Sequence, residues 1–169
     1  EKSWNKEIGI RGSLALFDYE IAGFHIDIEN LVAEGRGTAF KNLGKVNSQG
    51  VEVRTDFLLS KMSKLLPNLG VAYTYLSTEV LDGAILSNIQ PVGTEVSING
   101  KELPYSPDHT LNVGVELNPV SSFFFRLDYK YVSKVYTDFQ NLEDEDDRVG
   151  YNLGISGPIP AYRIINLSS

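Results

Sequence analysis

Cysteine is absent from all 169 residues, which excludes disulfide frameworks, thiolate metal centres and cysteine nucleophiles. No run of roughly 18 apolar residues occurs either, so no segment is suited to cross a membrane as a helix. An amphipathic barrel strand leaves no such run, and membrane residence stays open. Clustered Lys and Arg are missing as well. A net charge of −7 without a basic patch argues against a nucleic-acid surface, where phosphate contacts need grouped cations. Glu1-Lys2-Ser3-Trp4 has neither the basic n-region nor the apolar h-region of a secretory signal, and an export signal is expected upstream of it. Finally, no nucleophile, base and oxyanion-stabilising constellation can be assembled, so catalysis is not expected.

What the chain does have is two-residue alternation. Leu111, Val113, Val115 and Leu117 interleave with Thr110, Asn112, Gly114 and Glu116, the period of a strand with one apolar face. Val51, Val53, Thr55 and Phe57 alternate with Glu52, Arg54 and Asp56, and Phe125, Leu127, Tyr129 and Tyr131 with Phe124, Arg126, Asp128 and Lys130. Leu69, Val71, Tyr73 and Tyr75 form a fourth stripe. Ile8, Ile10, Leu14 and Leu16 form another, Phe24, Ile26 and Ile28 a sixth, and a last strand begins near Arg163. Seven strands and no convincing helix follow.

Connections alternate between compact and extended. Asp18 to Gly23, Ser60 to Asn68 and Asn118 to Ser121 read as the shorter ones; Gly35 to Leu43, Asp82 to Pro107 and Asp138 to Ala161 read as the longer ones. Long loops on one edge only are the habit of up-and-down outer-membrane barrels, whose short turns lie on the periplasmic side. Alternation by itself does not separate such a wall from a soluble β-sandwich, which also has one apolar and one polar face. Strand length favours the wall. Several stripes extend to the roughly 9–11 residues that a tilted membrane strand needs, against about 5–6 for an average strand. So does the crowding of Tyr73, Tyr75, Phe123, Phe125, Tyr129 and Tyr131 on the apolar face, since aromatic rings favour the headgroup zone.

Three stretches carry a family resemblance. Glu1 to Gly12, EKSWNKEIGIRG, resembles the P-E-K-S-x-x-x-E-x-G strand entry of TonB-dependent receptors. Gly44 to Glu52, GKVNSQGVE, is similar to their G-x-x-x-S-x-G-V-E strand, and Leu103 to Asn112, LPYSPDHTLN, to their P-x-x-P-x-H-x-x-N loop exit. Pro160-Ala161-Tyr162 adds a softer match, toward the ferric-citrate-like branch. The order of the motifs is that of the family, and the resemblance covers the whole chain.

The resemblance implies an all-β fold: an antiparallel up-and-down transmembrane β-barrel wall, here about seven strands of a barrel of about 22. Residues 1–169 are then a partial barrel domain, with the plug domain and final strand expected outside them. It implies residence in the bacterial outer membrane and energy-coupled uptake of a ferric siderophore or ferric-citrate-like complex. The implied partners are that iron complex, the plug domain, the TonB energy-coupling complex and outer-membrane lipid, with no resident cofactor. A soluble β-sandwich binding module and a passive porin-type barrel are the alternatives.

Within the motifs, Gly50 reads as a place of close packing, and Pro104 and Pro107 as stiffeners of a loop re-entering the wall. His25 and His109 read as rim histidines rather than metal ligands. The run Glu143 to Asp147 lacks the spacing of a calcium loop. Glu52, Arg54, Asp56, Arg126, Asp128 and Lys130 are expected to line a wet interior as cross-strand ion pairs. For an anionic iron chelate the loop donors to test are Arg36, Gln140, Arg148 and Tyr151, because guanidinium, amide and phenol groups can meet its oxygens.

Overall fold

The computed structural model describes residues 1–33, 41–42, 44–87, 93–120, 123–143 and 157–169. Its strands are β1 (Lys2–Leu14), β2 (Phe17–Glu29), β3 (Val32–Ala33), β4 (Lys41–Asn42), β5 (Lys45–Phe57), β6 (Asn68–Asp82), β7 (Ala84–Leu86), β8 (Glu95–Ser97), β9 (His109–Val120), β10 (Phe123–Val132) and β11 (Tyr162–Ser168). Seven of them form one sheet in the order β1-β2-β5-β6-β9-β10-β11, each long strand antiparallel to the next in the chain. The sheet does not close: β1 and β11 are its two edges. Hairpins β3–β4 and β7–β8 decorate two of the connections at one end.

One connection differs from the sequence reading. The turn after β1 is made by Ala15 and Leu16, and Asp18 to Gly23 lie inside β2, where Asp18 pairs with Ser13 and Gly23 with Ile8. Asp and Gly are turn signals, but the apolar beat of Phe17, Tyr19 and Ile21 runs through them, and pairing on both sides outweighs the local preference. The neighbouring turn is tied to this one, since the Leu58 amide donates to Leu16 O at 2.8 Å and Lys61 Nζ to Ala15 O at 3.3 Å. All three long connections leave from the opposite end, as the length pattern predicts.

The register shows that the sheet's two faces exchange character along the strands. In the lower rows, nearer the short turns, the first face carries Ile8, Ile10, Leu14, Phe17, Ile21, Val51, Val53, Phe57, Val71, Val113, Leu127 and Ile165, row against row. The other carries Arg11, Glu20, Glu52, Arg54, Asp56, Glu116, Arg126, Asp128 and Lys130. Above Gly23 the first face turns polar, with Lys6, His25, Asp27, Asn47 and Gln49, and the second turns apolar, with Phe24, Ile26, Ile28 and Val46. The stripe of Phe24, Ile26 and Ile28 therefore does not continue the apolar face of the lower strands. β1, β2 and β5 have 13 residues each and β6 has 15, more than the roughly 9–11 a membrane wall requires. The excess stands above the apolar zone and obeys the opposite pattern.

Among the described residues no second sheet covers the lower apolar face. Ile8, Ile10, Leu14, Ile165 and Leu167 are more than 60% exposed, where a sandwich would bury them. The compact apolar core lies at the upper end, on the second face. There Val46 and Val80 pack with Ile98 from the β6–β9 connection, surrounded by Ile28, Leu31, Ile85, Leu103 and Phe139. The loop is folded back over the charged side of the wall and held on its upper, apolar rows.

Candidate functional site in the long loops

Asn99-Gly100 is the first anchor. Gly100, at φ +73°, forms the turn that lets its amide donate to Val80 O at 2.8 Å, while Val80 N donates to Lys101 O at 2.8 Å. Asn99 Oδ1 accepts from the Gly83 amide at 2.8 Å, and Ile98 N donates to Gly83 O at 3.0 Å, which lowers Ile98 into the core. Further along, Leu103 N donates to Thr78 Oγ1 at 3.1 Å and Leu76 N to Asp108 O at 2.9 Å, so the Pro104 to Pro107 stretch re-enters the wall along β6.

The β10–β11 connection is stapled onto this loop. Asn141, itself at positive φ, uses its amide like a backbone unit: Oδ1 accepts from Glu102 N at 2.6 Å and Nδ2 donates to Glu102 O at 3.0 Å. Tyr105 N donates to Tyr136 O at 2.8 Å, and Ser87 Oγ to Gln140 Oε1 at 3.2 Å. Val135 and Ile159 form a short antiparallel bridge that returns the chain toward β11. The described parts of the two longest connections thus form one interlocked body over the upper rim.

Charge is distributed unevenly in that body. Asp138 is buried, and its Oδ1 accepts from Gln140 N at 2.8 Å while Oδ2 has no hydrogen-bond partner among the described residues. Burial pushes its carboxyl above the usual range, against the pull of the Gln140, Leu142 and Asn141 amides and the Lys101 charge. Burial and the Asp108 charge raise Glu102 likewise. Lys134, by contrast, donates to Glu143 Oε2 at 2.8 Å and to Tyr136 Oη at 3.1 Å, and the Tyr136 hydroxyl donates to Glu143 Oε1. Those bonds raise Lys134 and lower Glu143, Glu143 acting first on the lysine and Lys134 first on the carboxylate.

Of the four donors expected from sequence, Gln140 lies in the interlocked body, half-buried, with its carbonyl oxygen engaged by Ser87. Arg36, Arg148 and Tyr151 lie outside the described residues, as do Asp144 to Asp147 of the acidic run. Sequence reasoning passes over Asp138 and Asn141, whose only signal is the Asp-x-x-Asn spacing of a tight turn. His109 stands at the loop exit with Nδ1 2.9 Å from Tyr73 Oη and its ring against Tyr75. His25 Nε2 lies 3.0 Å from Asp27 Oδ2 and 3.1 Å from Asn47 Nδ2. Among the described residues no group of three His, Cys, Asp or Glu side chains could hold a metal ion.

The lower charged rows are paired differently from the expected cross-strand pattern. Arg54 Nε reaches Asp56 at 3.3 Å and Arg126 grips Asp128 with two bonds of 2.8 and 2.9 Å, each pair within a single strand, while among the described residues of these rows Arg126 to Glu116, at 3.8 Å, is the pair that crosses between strands. Residues two apart on a strand share a face, and the long arginine side chain spans that gap.

A single meander with an uncovered apolar face and a charged opposite face, extended at the end where the long loops fold inward, defines the wall of a transmembrane β-barrel. The family that matches is the TonB dependent receptor-like beta-barrel, over residues 1–169, and the chain belongs to it. The family is one of bacterial outer-membrane receptors rather than enzymes. Among curated protein sequences none matches. Among solved structures the chain is similar to the ferric citrate transporter FecA in its unliganded form, at 21% identity and TM-score 0.73 over 98% of this chain and 23% of that one. It is also similar to the ferric yersiniabactin uptake receptor FyuA from Yersinia pestis, at 15% identity and TM-score 0.67 over 98% and 21%. The ferric-catecholate import receptor Fiu from K12 E. coli gives 17% identity and TM-score 0.64 over 98% and 20%. The chain thus spans about a fifth to a quarter of the structures it matches.

Proposed function

We propose that this chain forms wall and outward loops of an importer that takes up a ferric siderophore or ferric-citrate-like complex, driven through the TonB energy-coupling complex and gated by a plug domain in the lumen. The observation that carries the reading is the inward fold of the long loops. In a closed barrel they would lie over the charged, lumen-facing side, where a chelate entering from outside meets them first. Gln140 lies in that cover, Arg148 and Tyr151 fall in the same connection by sequence, and Arg36 falls in the connection between β2 and β5. The chelate is cargo, and no resident cofactor is needed. The likeness of the wall to FecA makes ferric citrate the first probe.

The test is uptake of radiolabelled ferric citrate, with ferric catecholate and hydroxamate complexes beside it, by cells with and without the full receptor. Loss of one chelate's uptake on deletion, abolished equally by a protonophore, is the expected result. Energy-independent passage of unrelated small solutes through the purified protein in planar bilayers would establish the porin reading instead.

A further inference from the structure

The two longest connections are acidic. Between β6 and β9, Glu95, Glu102 and Asp108 stand against Lys101; between β10 and β11, Asp138, Glu143 and the run to Asp147 outnumber Lys134 and Arg148. The loops neutralise little of that charge themselves. Lys134 is committed to Glu143, at 2.8 Å, and to the Tyr136 hydroxyl. Glu102, Asp108 and Asp138 have no ion-pair partner within 4.0 Å among the described residues. Asp138 is 8% exposed and its Oδ2 accepts no hydrogen bond there, an arrangement that is costly while the group is charged. Asn141 ties it to Glu102, its Nδ2 donating to Asp138 O at 3.2 Å and to Glu102 O at 3.0 Å. Glu102 is half-buried, and Asp108 lies close enough for its charge to act on it. Tyr105, on the same loop, is 58% exposed, with its amide fixed on Tyr136 O at 2.8 Å.

We infer that this loop body takes the cationic end of the cargo: a ferric chelate of the trihydroxamate class with a free ammonium, received by Glu102 and Asp108 with the ring of Tyr105 alongside. Charge selects that class. Each hydroxamate is a monoanion, so the set that fills the coordination sphere of ferric iron just neutralises it, and a pendant ammonium makes the whole complex positive. Catecholate dianions and citrate carboxylates leave a polyanion instead. Unpaired carboxylates in a partly desolvated body repel such a polyanion and attract a cation. A half-buried carboxylate is stabilised by an ammonium at hydrogen-bond distance, and an exposed phenol ring adds cation–π attraction. The inference rests on the importer reading above, and it reverses the chelate charge that guanidinium donors such as Arg36 and Arg148 would suit. The likeness to FecA is one of fold, at 21% identity, and says nothing of loop charge.

The experiment is equilibrium binding of radioiron complexes to the full receptor in mild detergent. The probes are a linear trihydroxamate with a free terminal amine, its N-acetyl and N-succinyl derivatives, and ferric citrate and a ferric catecholate beside them. One scaffold then carries a positive, a neutral or a negative end. The amine form is expected to bind roughly tenfold more tightly than the N-acetyl form, the worth of one charge-assisted bond, and the N-succinyl form more weakly still. Raised salt should narrow the gap. Glu102→Gln should bring the amine and acetyl affinities together, and Glu102→Lys should reverse the order in favour of the succinyl form. Heat-modifiable gel mobility checks that each variant is folded. Equal affinities for the three derivatives, a preference for the citrate or catecholate complex, or an amine preference that survives in folded Glu102→Gln and Glu102→Lys would overturn the inference and leave the importer reading standing. Binding of none of these chelates, with no energy-dependent uptake of any of them by cells, would overturn the importer reading itself.

Discussion

Gly50 occupies a position that no other residue could fill without moving the wall. A Cβ there would lie 2.2 Å from Tyr75 O and 2.7 Å from Cζ of Phe24, whose ring is laid across the glycine. Substitution to alanine is therefore expected to destabilise the folded receptor by about 1–3 kcal/mol through overpacking. Gly23→Ala, on the neighbouring strand and the opposite face, where a Cβ would meet Gly50 O at 3.9 Å, should be nearly neutral. Urea titration of the detergent-folded receptor separates the two, and equal midpoints would refute the packing account. The serine-x-glycine motif announces close packing at Gly50, but the partner ring cannot be read from it, because nothing local says that Phe24 and Gly50 share a row. Asp138 is a second residue with a sharp expectation. Its folded carboxyl binds its proton more tightly than the ordinary value of 3.8, so over the window above that value the folded loop holds more protons than the unfolded one. Loop docking should thus weaken as pH rises through the folded value, and Asp138→Asn should flatten that slope. Hydrogen exchange of the Gln140 amide across pH is the readout, and an unchanged slope in the variant would show another group to be responsible.

At the scale of elements, the strands are legible in the sequence and their sidedness is not fully so. Seven strands and the placement of the long connections follow from period-two alternation and turn chemistry. The exchange of faces above Gly23 does not, because His25, Asp27 and Glu29 alternate with Phe24, Ile26 and Ile28 as regularly as any lower stripe, and periodicity carries no absolute phase. Only pairing with β5, which sets Ile28 beside Val46 and Ala22 beside Glu52, fixes which side is which. The exchange predicts opposite responses along one wall. Ile10→Lys, in the middle of the apolar zone, should cost about 2–4 kcal/mol in a bilayer, whereas Asn47→Lys, above it on the same face, should be close to neutral; similar losses at both sites would place Asn47 in lipid too. The loops have their own element-scale device. Asn141→Ala removes the side-chain bridge to both backbone groups of Glu102, so trypsin cleavage after Lys101 should accelerate roughly tenfold for a loss on the order of 1.5 kcal/mol, with the wall strands still protected. Such a staple has no sequence signature beyond an asparagine in a turn, which is why reasoning from residue type reaches Gln140 and not its neighbour.

Considered whole, the seven-stranded sheet has a core too small and too far to one end to hold it in water. Its buried apolar cluster is Val46, Val80 and Ile98, all at the loop end. Among the described residues no second layer packs on the lower rows of the wall, and their stability must come from lipid outside and further strands at the edges. β1 and β11 each present an unpaired row of backbone groups, and β11 is exposed along its entire length. Edges of this kind recruit other strands, and an exposed apolar face of this extent recruits other surfaces. Residues 1–169 expressed alone in plain buffer should therefore sediment as aggregates, and adding detergent should disperse them without giving the heat-modifiable mobility of a closed barrel. A monodisperse, cooperatively unfolding monomer in detergent-free buffer would mean that the exposed apolar rows find partners within the chain, and the lipid-facing assignment of Ile8, Ile10 and Leu14 would fall with it.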